Sequence, residues 1–486
     1  MQEFQQVCLI SFEGEVIHRG KGTRRLFQRR TLENLRLAIR EHGFQAEVVP
    51  SFAKLEVRGT FDPHVLARVF GVKTCAVALR AHIQDLDDVV AAGEAIWRDR
   101  VAGKTFGVRC KRVGRHPFRS QDVAEVLGAR LNAYARGVNL TNPDIWVEIE
   151  VREEHAYFVT ERIPGPGGLP LGIGEDALVL FSGGHDSPVA AWHLARRGNQ
   201  PHFLHLAFGG LAEARPVVQV AQHLYRHWLV GTRPVFRVAP FAPVVAELIE
   251  HIPSALRQVA LRRAMYQAGE YLAQKLGCQA LVTGEVLSQA TSQTLHNIAI
   301  EEAGIDLPIL RPVLSLSKEE IMQQAQAIGT YELSLQVNEL CSIAQGPVSP
   351  RVKREEFFQA YAAVDPAVIH AAVDQAIEID LNQPLEQLES LLEDDIPTIG
   401  HIPQDALVVS MLPEGTRLPQ AIPMDRFEAD EVTDNRPVIL MCRYGLTSMG
   451  LAAELRRRGI NAYSFDGGYE RYRELQERSG AAEPRG

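Results

Sequence analysis

The sequence predicts an α/β multidomain chain, and three observations carry that prediction. Between residues 175 and 345 short apolar runs alternate with helical patterns, as in a doubly wound parallel sheet. Two separate places, 178–198 and 437–458, read as strand, glycine-bearing turn and helix start, the junction where such sheets hold ligands. Between a mixed α/β N-terminal third and the remainder lies RIPGPGGLPLGIG, residues 162–174, whose prolines and glycines read as a linker.

The elements follow in order. Residues 1–60 form a small α/β unit, with strands expected at 7–12, 44–49 and 54–57 and an amphipathic helix at 29–42. Residues 61–165 continue with a short helix at 63–70, strands at 74–79, 105–113, 146–151 and 156–162, and helices at 85–98 and 120–136. The third segment, 175–390, begins with four apolar strands at 177–181, 202–207, 234–238 and 279–283. Beyond 346 it reads as helical and ends in an acidic stretch at 386–395. The last segment, 400–482, is a second small α/β unit.

At 486 residues and 46% apolar content the chain can build three or four cores. No apolar run approaches membrane-spanning length and Met1-Gln2-Glu3 opens no signal pattern, so a cytoplasmic protein without membrane partners is expected. Six scattered cysteines without a CxxC pair argue against a zinc site and a disulfide framework. The net charge of −9 conceals an asymmetry: residues 1–150 hold 23 Lys/Arg against 18 Asp/Glu, a balance of +5, and the rest carries −14. Two runs there contain no acidic residue, one from Arg19 to Arg30 and one from Lys104 to Arg119 that includes Lys111, Arg112 and Arg115. Local patches set affinity for a phosphate backbone, and this placement suits a shape-reading RNA module; a solvated surface is the alternative.

The turn Ser182-Gly183-Gly184 sits between an apolar strand and a helix. Backbone N–H groups at such a turn point one way, and the helix dipole adds to the attraction for phosphate. Ser182 and Ser187 bring hydroxyls, and Asp186 a carboxylate able to hold Mg²⁺ or orient a phosphate. The string SGGxDS resembles the PP-loop of ATP pyrophosphatases, which cleave ATP to AMP and pyrophosphate to activate a carbonyl oxygen. Near the other end, a strand at 437–441 runs into Cys442-Arg443-Tyr444-Gly445-Leu446-Thr447-Ser448 and a helix. Converging N–H dipoles and Arg443 favour the thiolate of Cys442. The loop CxxGxxS resembles that of rhodaneses, which carry sulfur as a persulfide, and Asp466-Gly467-Gly468-Tyr469 fits the end of that fold. Where rhodaneses usually have Asp-x-Arg on an early strand, this chain has Val408-Val409-Ser410.

Taken in order, these parts resemble the tRNA uridine 4-sulfurtransferase (ThiI) family over nearly the whole chain. Supporting strings are Ala280–Glu285 (ALVTGE), Ser292-Gln293-Thr294-Leu295, Leu310-Arg311-Pro312 and Ile328-Gly329-Thr330. The resemblance implies four domains: ferredoxin-like at 1–60, a THUMP RNA-binding domain at 61–165, a PP-loop adenylation domain at 175–390 and a rhodanese-like domain at 400–482. It implies that Leu180, Phe181, Ser182, Gly183, Gly184, Ser187, Arg262, Gly284 and Gln293 line the ATP site, with Asp186 catalytic and Lys318 in support. Lys111, Arg112, Arg115 and Arg119 would bind RNA. Cys442 would carry the persulfide, and Cys341, in Asn-Glu-Leu-Cys-Ser where the family usually has Pro-Glu-Tyr-Cys-Gly, would form a disulfide with it. ATP, Mg²⁺, tRNA, a cysteine desulfurase and a disulfide reductant are implied, a homodimer is compatible, and family members also feed sulfur to thiamine thiazole. The rival readings are a PP-loop synthetase with another substrate, and an RNA-binding sulfur relay with an inactive PP-loop.

Overall fold

The structure, a computed structural model, describes residues 4–51, 54–288, 293–337, 349–392, 398–412, 418, 420–429, 432 and 435–480. It divides into two compact units: 1–173 with 196–198, and 174–195 with 199–486. Among the described residues no helix is long and apolar enough to cross a membrane.

The first unit is built on one eight-stranded sheet. Its elements are β1 (Gln5–Phe12), α1 (Gly14–Ile17), α2 (Lys21–Glu41), β2 (Ala46–Ser51), β3 (Lys54–Gly59), α3 (Pro63–Ala67), β4 (Val72–His82), α4 (Leu86–Val101), β5 (Thr105–Val113), α5 (Ser120–Asn132), β6 (Gly137–Val138), β7 (Ile145–Arg152) and β8 (His155–Pro164). The strand order is β2-β3-β1-β4-β8-β7-β5-β6. The first four strands are antiparallel in ferredoxin-like order, and the fourth is β4, so that pattern runs to His82, past the boundary expected at residue 60. β4 then pairs with β8, which joins both N-terminal segments through a shared strand. Helix α2 begins eight residues before the expected position because its first two turns are exposed and lack an apolar period.

The stretch expected to be a linker is held in place. Gly165 N–H donates to Lys73 O (2.9 Å), Gly71 N–H to Gly167 O (2.8 Å), and Arg30 and Asn34 both donate to Leu171 O (3.0 and 3.1 Å). Leu171 is buried. Gly167 and Gly168 adopt φ of +64° and +70°, which is what the glycines supply here: a chain reversal in the left-handed region.

The second unit carries two sheets. The larger is assembled from β9 (Asp176–Leu180), α6 (Asp186–Arg196), β10 (Gln200–Ala207), α7 (Ala214–Trp228), β11 (Phe236–Pro240), α8 (Ala242–His251), α9 (Arg257–Leu276), β12 (Leu281–Val282), α10 (Leu295–Glu301), β13 (Ile309–Leu310), α11 (Lys318–Ile328), α12 (Tyr331–Ser334), α13 (Arg354–Tyr361), α14 (Pro366–Asp374), β14 (Ile377–Ile379) and α15 (Leu385–Leu388). Its order, β13-β12-β9-β10-β11-β14, is parallel except for β14. β10 is buried along nearly its whole length, as expected of a strand covered by helices on both faces. The antiparallel edge strand β14 was expected to be helical; at three residues it is too short to show a period.

The smaller sheet comprises β15 (Thr398–Ile399), β16 (Leu407–Ser410), β17 (Ile422–Pro423), β18 (Val438–Met441) and β19 (Ala462–Phe465), with α16 (Leu446–Arg457) after β18 and α17 (Gly468–Gly480) after β19. All its pairings are parallel. One apolar cluster runs through both sheets of this unit, uniting Leu206, Phe208, Phe241 and Leu248 with Leu440, Cys442, Leu451 and Leu455.

Candidate functional site

The glycine turn follows β9 at the C-terminal edge of the larger sheet. Phe181 continues the ladder by donating to Leu204 O (2.8 Å), and its ring packs edge-on against Phe203 and Phe236 at centroid distances of 5.0 and 6.1 Å. The side chains of Leu180 and Phe181 therefore belong to the core, and only their backbone faces the turn. Gly183, at φ +78°, reverses the chain, and Ser187 Oγ accepts from Ser182 N–H and Gly183 N–H, each at 3.2 Å. The buried Ser187 hydroxyl thus shapes the turn, whereas it was expected to face a ligand; Ser182 is the exposed one. Helix α6 opens at Asp186, half-buried, so the amides of its first turn lack intrahelical acceptors.

Gly284 lies directly behind this start. A Cβ there would be 2.8 Å from Asp186 C and 2.8 Å from Ser187 N, so the absent side chain lets the loop after β12 press on the PP-loop backbone. The next residue, Glu285, is the centre of a buried network. Its carboxylate accepts from Arg262, from Arg311 Nε (2.7 Å), from Tyr266 OH (2.5 Å) and from Thr283 Oγ1 (3.1 Å). Burial pushes the Glu285 pKa up, but Arg262 and Arg311 outweigh it and hold the carboxylate ionised. Arg262, expected as a cation for the nucleotide, is in this structure the ion-pair partner of Glu285. Beside them Glu301 is fully buried with neither oxygen hydrogen-bonded. Burial, opposed by Arg262 and reinforced by Glu285, pushes its pKa up to about 8.

On the adjacent strand His205 is buried and its Nδ1 lies 3.0 Å from Phe181 O. Burial drives its pKa down to about 4, so the ring is neutral at pH 7 and donates from Nδ1. Glu213 folds the following loop by accepting from Phe208 N–H (2.5 Å) and Gly209 N–H (2.9 Å). Gln293 is buried and its carbonyl accepts from Ser288 N–H (2.9 Å), while Lys318 is exposed at the start of α11. Cys341 lies outside the described residues.

The second mouth follows β18. Cys442 is 3% exposed, and its Sγ accepts from Ser448 Oγ at 3.3 Å. Ser448 Oγ is also 3.0 Å from Gly445 O and 2.9 Å from Ser464 Oγ, which fixes the hydroxyl under the loop. Gly468, at φ +62°, fits against the loop so closely that a Cβ would lie 2.5 Å from Cys442 O, and Tyr469 N–H donates to that same oxygen at 2.9 Å. Arg443 is paired with Glu470 at 3.1 Å. Burial pushes the thiols of Cys110 and Cys278 up to about 11 and about 12, and that of Cys75 well up, as befits unreactive thiols.

In the first unit the expected RNA-binding cations differ in availability. Lys111 and Arg115 are exposed and carry no ion pair among the described residues. Arg119 is exposed but paired with Asp122 at 2.9 Å, and Arg112 donates to His116 O at 3.2 Å. Arg109 stacks 3.2 Å above the Trp146 ring. Sequence reading missed Arg119's partner because the basic run ends one residue before the helix that supplies it. It also passed over Glu285, Arg311 and Ser448 as site residues, although Thr283-Gly284-Glu285 at a strand end was a usable signal.

These features define a class: an α/β enzyme with a PP-loop sheet, a second mouth bearing a cysteine, and a separate THUMP-containing unit. The family described as "Thiamine biosynthesis protein (ThiI)" matches residues 172–362, and the THUMP domain matches 83–161. A tRNA sulfurtransferase of Desulfurococcus amylolyticus is 37% identical over 475 residues, 96% of this chain and 98% of that protein. One from Thermoplasma acidophilum is 34% identical, covering 85% of this chain and 84% of the relative. The fold resembles that of a 4-thiouridine synthetase solved with RNA and bound ATP, at a TM-score of 0.68 and 24% identity, over 77% of this chain and 99% of that one. The chain belongs to the tRNA sulfurtransferase family.

Proposed function

We propose that this tRNA sulfurtransferase uses ATP to adenylate the 4-oxygen of a tRNA uridine and replaces that oxygen with sulfur carried on Cys442. The observation that carries the reading is the pairing, in one unit, of an open glycine turn at a helix start with a cysteine whose sulfur is hydrogen-bonded at a second helix start.

A uracil 4-carbonyl resists substitution because its oxygen leaves badly; as an AMP ester it leaves readily. The Gly184 amide and the start of α6 bind phosphate and stabilise departing pyrophosphate, on a turn whose shape Ser187 Oγ holds by accepting from Ser182 N–H and Gly183 N–H. The half-buried Asp186 carboxylate at the start of α6 would hold Mg²⁺ together with phosphate oxygens, and the ion would neutralise phosphate charge. A cysteine desulfurase loads Cys442 as a persulfide. The terminal sulfur attacks C4, and AMP departs with the former 4-oxygen. The Cys341 thiolate then attacks Cys442 Sγ, the bond between Cys442 and the transferred sulfur breaks, and 4-thiouridine leaves. A Cys341–Cys442 disulfide remains, and a dithiol reductant returns two electrons. Lys111 and Arg115, with Arg112 and Arg119, supply phosphate contacts to the tRNA.

The test is thiolation of unmodified tRNA with ATP, cysteine and a desulfurase. Wild type makes thiouridine, and Cys442→Ser and Asp186→Ala do not. Normal product from both variants overturns the mechanism; normal product from Cys442→Ser alone means that sulfur arrives by another route.

A further inference from the structure

Helix α16 does more than end the Cys442 loop: its outer face is seated on the nucleotide-binding part of the same unit. The contact is made at Gly450. A Cβ there would lie 2.0 Å from the Phe208 carbonyl oxygen and 2.6 Å from the Ala242 Cβ, so any other residue forces the two surfaces apart. Glycine inside a helix is less stable than alanine, and what it supplies here is close backbone approach. Around this point Leu451 and Leu455 join the apolar cluster of Phe241, Val245 and Leu248, and at the far end Arg458 reaches Glu250 of α8 at 3.6 Å. That ion pair is exposed and weak, so the apolar seat fixes the geometry.

The seat lies beside the phosphate turn. Phe208 follows β10, the strand paired with β9, and its loop is pinned by the Glu213 carboxylate through Phe208 N–H and Gly209 N–H. The same strand end carries His205, hydrogen-bonded to Phe181 O at the root of the turn. At the other side of the seat, the first turn of α16 holds Ser448 against the Cys442 sulfur.

We propose that this seat is the sulfur-delivery interface and that Gly450 is a positioning residue: it lets α16 approach until the Cys442 loop and the phosphate turn serve one bound uridine. The inference rests on the reading that Cys442 carries the persulfide. Burial of Cys442 adds a corollary, that its loop must open to accept sulfur from a protein donor and close for delivery.

The test separates loading, activation and transfer. Wild type, Gly450→Leu and Ala242→Leu (the same wedge driven from the opposite surface) are loaded by a cysteine desulfurase with cysteine and freed of the donor. Loading is read as one added sulfur by mass. ATP and unmodified tRNA are then added, and pyrophosphate and thiouridine are followed through one turnover. Both variants are expected to load Cys442 and release pyrophosphate as wild type does, while thiouridine forms about a hundredfold more slowly, as for a misplacement of the order of 1 Å. Transfer at the wild-type rate in either variant overturns the proposal. A parallel fall in loading, activation and transfer in both overturns it too, since that marks general damage. A wild type that never loads Cys442 overturns the persulfide reading instead.

Discussion

At the end of β9 the turn lies open: Ser182 is exposed, Gly184 is half-exposed, and the buried Ser187 hydroxyl accepts two backbone N–H groups from below. At the end of β18 the same local recipe closes over the sulfur of Cys442. Cys442 is 3% exposed, Ser448 donates to its sulfur, and the Gly467-Gly468 turn lies across the loop. Each loop uses a serine in the first turns of its helix, with opposite polarity. Ser187 is an acceptor that ties down two amides of its turn, and Ser448 is a donor to the Cys442 sulfur. A parallel strand followed by a helix start is therefore a neutral platform, and the small residues around it decide whether the loop stays open or is covered.

The sharpest way to break this comparison is to remove one mouth at a time. Cys442→Ser should lose thiouridine to background while tRNA-dependent pyrophosphate release persists. Gly284→Val should do the reverse, because the added side chain strikes backbone only 2.8 Å away; pyrophosphate release should fall about 10²–10³-fold with persulfide loading intact. A variant that abolishes both readouts would mean the mouths are not separable. Next come the serines. Ser187→Ala strands two turn amides and should raise the KM for ATP, whereas Ser448→Ala should slow alkylation and sulfur transfer at Cys442 by about tenfold, the worth of one hydrogen bond.

The buried network under the open mouth carries a pH signature of its own. Glu301 in the folded protein titrates near 8 against an ordinary value of 4.5. Between those values the unfolded chain ionises it while the folded protein keeps the proton, so stability falls as pH rises through that window. Glu301→Gln should flatten this slope and raise the unfolding free energy at pH 8 by an amount of the order of a few kcal/mol; an unchanged slope in chemical denaturation between pH 5 and 8 would remove Glu301 from the account. The smallest effect concerns RNA. Lys111→Ala or Arg115→Ala should weaken tRNA binding and lower the salt slope by about one each, while Arg119→Ala, whose charge is already spent on Asp122, should change it less.

Much of the local architecture of both mouths was legible in the sequence. The SGGxDS turn between strand and helix and the CxxGxxS loop are local signals, and local signals survive in sequence, whereas the role of Ser187, expected to face a ligand, depends on which way its hydroxyl turns. The strand–helix order of the large sheet was legible for the same reason, because buried parallel strands are continuous apolar runs. What stayed hidden depends on residues far apart in the chain. Arg262 and Glu285 meet across 23 positions, Gly450 matters only because Phe208 faces it, and β4 joins the two N-terminal segments through pairings with β1 and β8. The stretch at 162–174 misled because its glycines and prolines look the same in a free tether as in a fixed reversal; only Arg30, Asn34 and Lys73 reveal which it is. The first turns of α2 were missed because a solvated helix face has no apolar rhythm to read.

The unbroken hydrogen-bond ladder from β2 to β6 has a thermodynamic consequence for the first unit. A joint between its two segments would have to be frozen each time an RNA settled on it, and that lost freedom would be subtracted from affinity. With a single pleated plate no joint between the segments is left to freeze, so the backbone spacing of Lys111 and Arg115, the cations proposed to contact RNA, is set when the polypeptide folds.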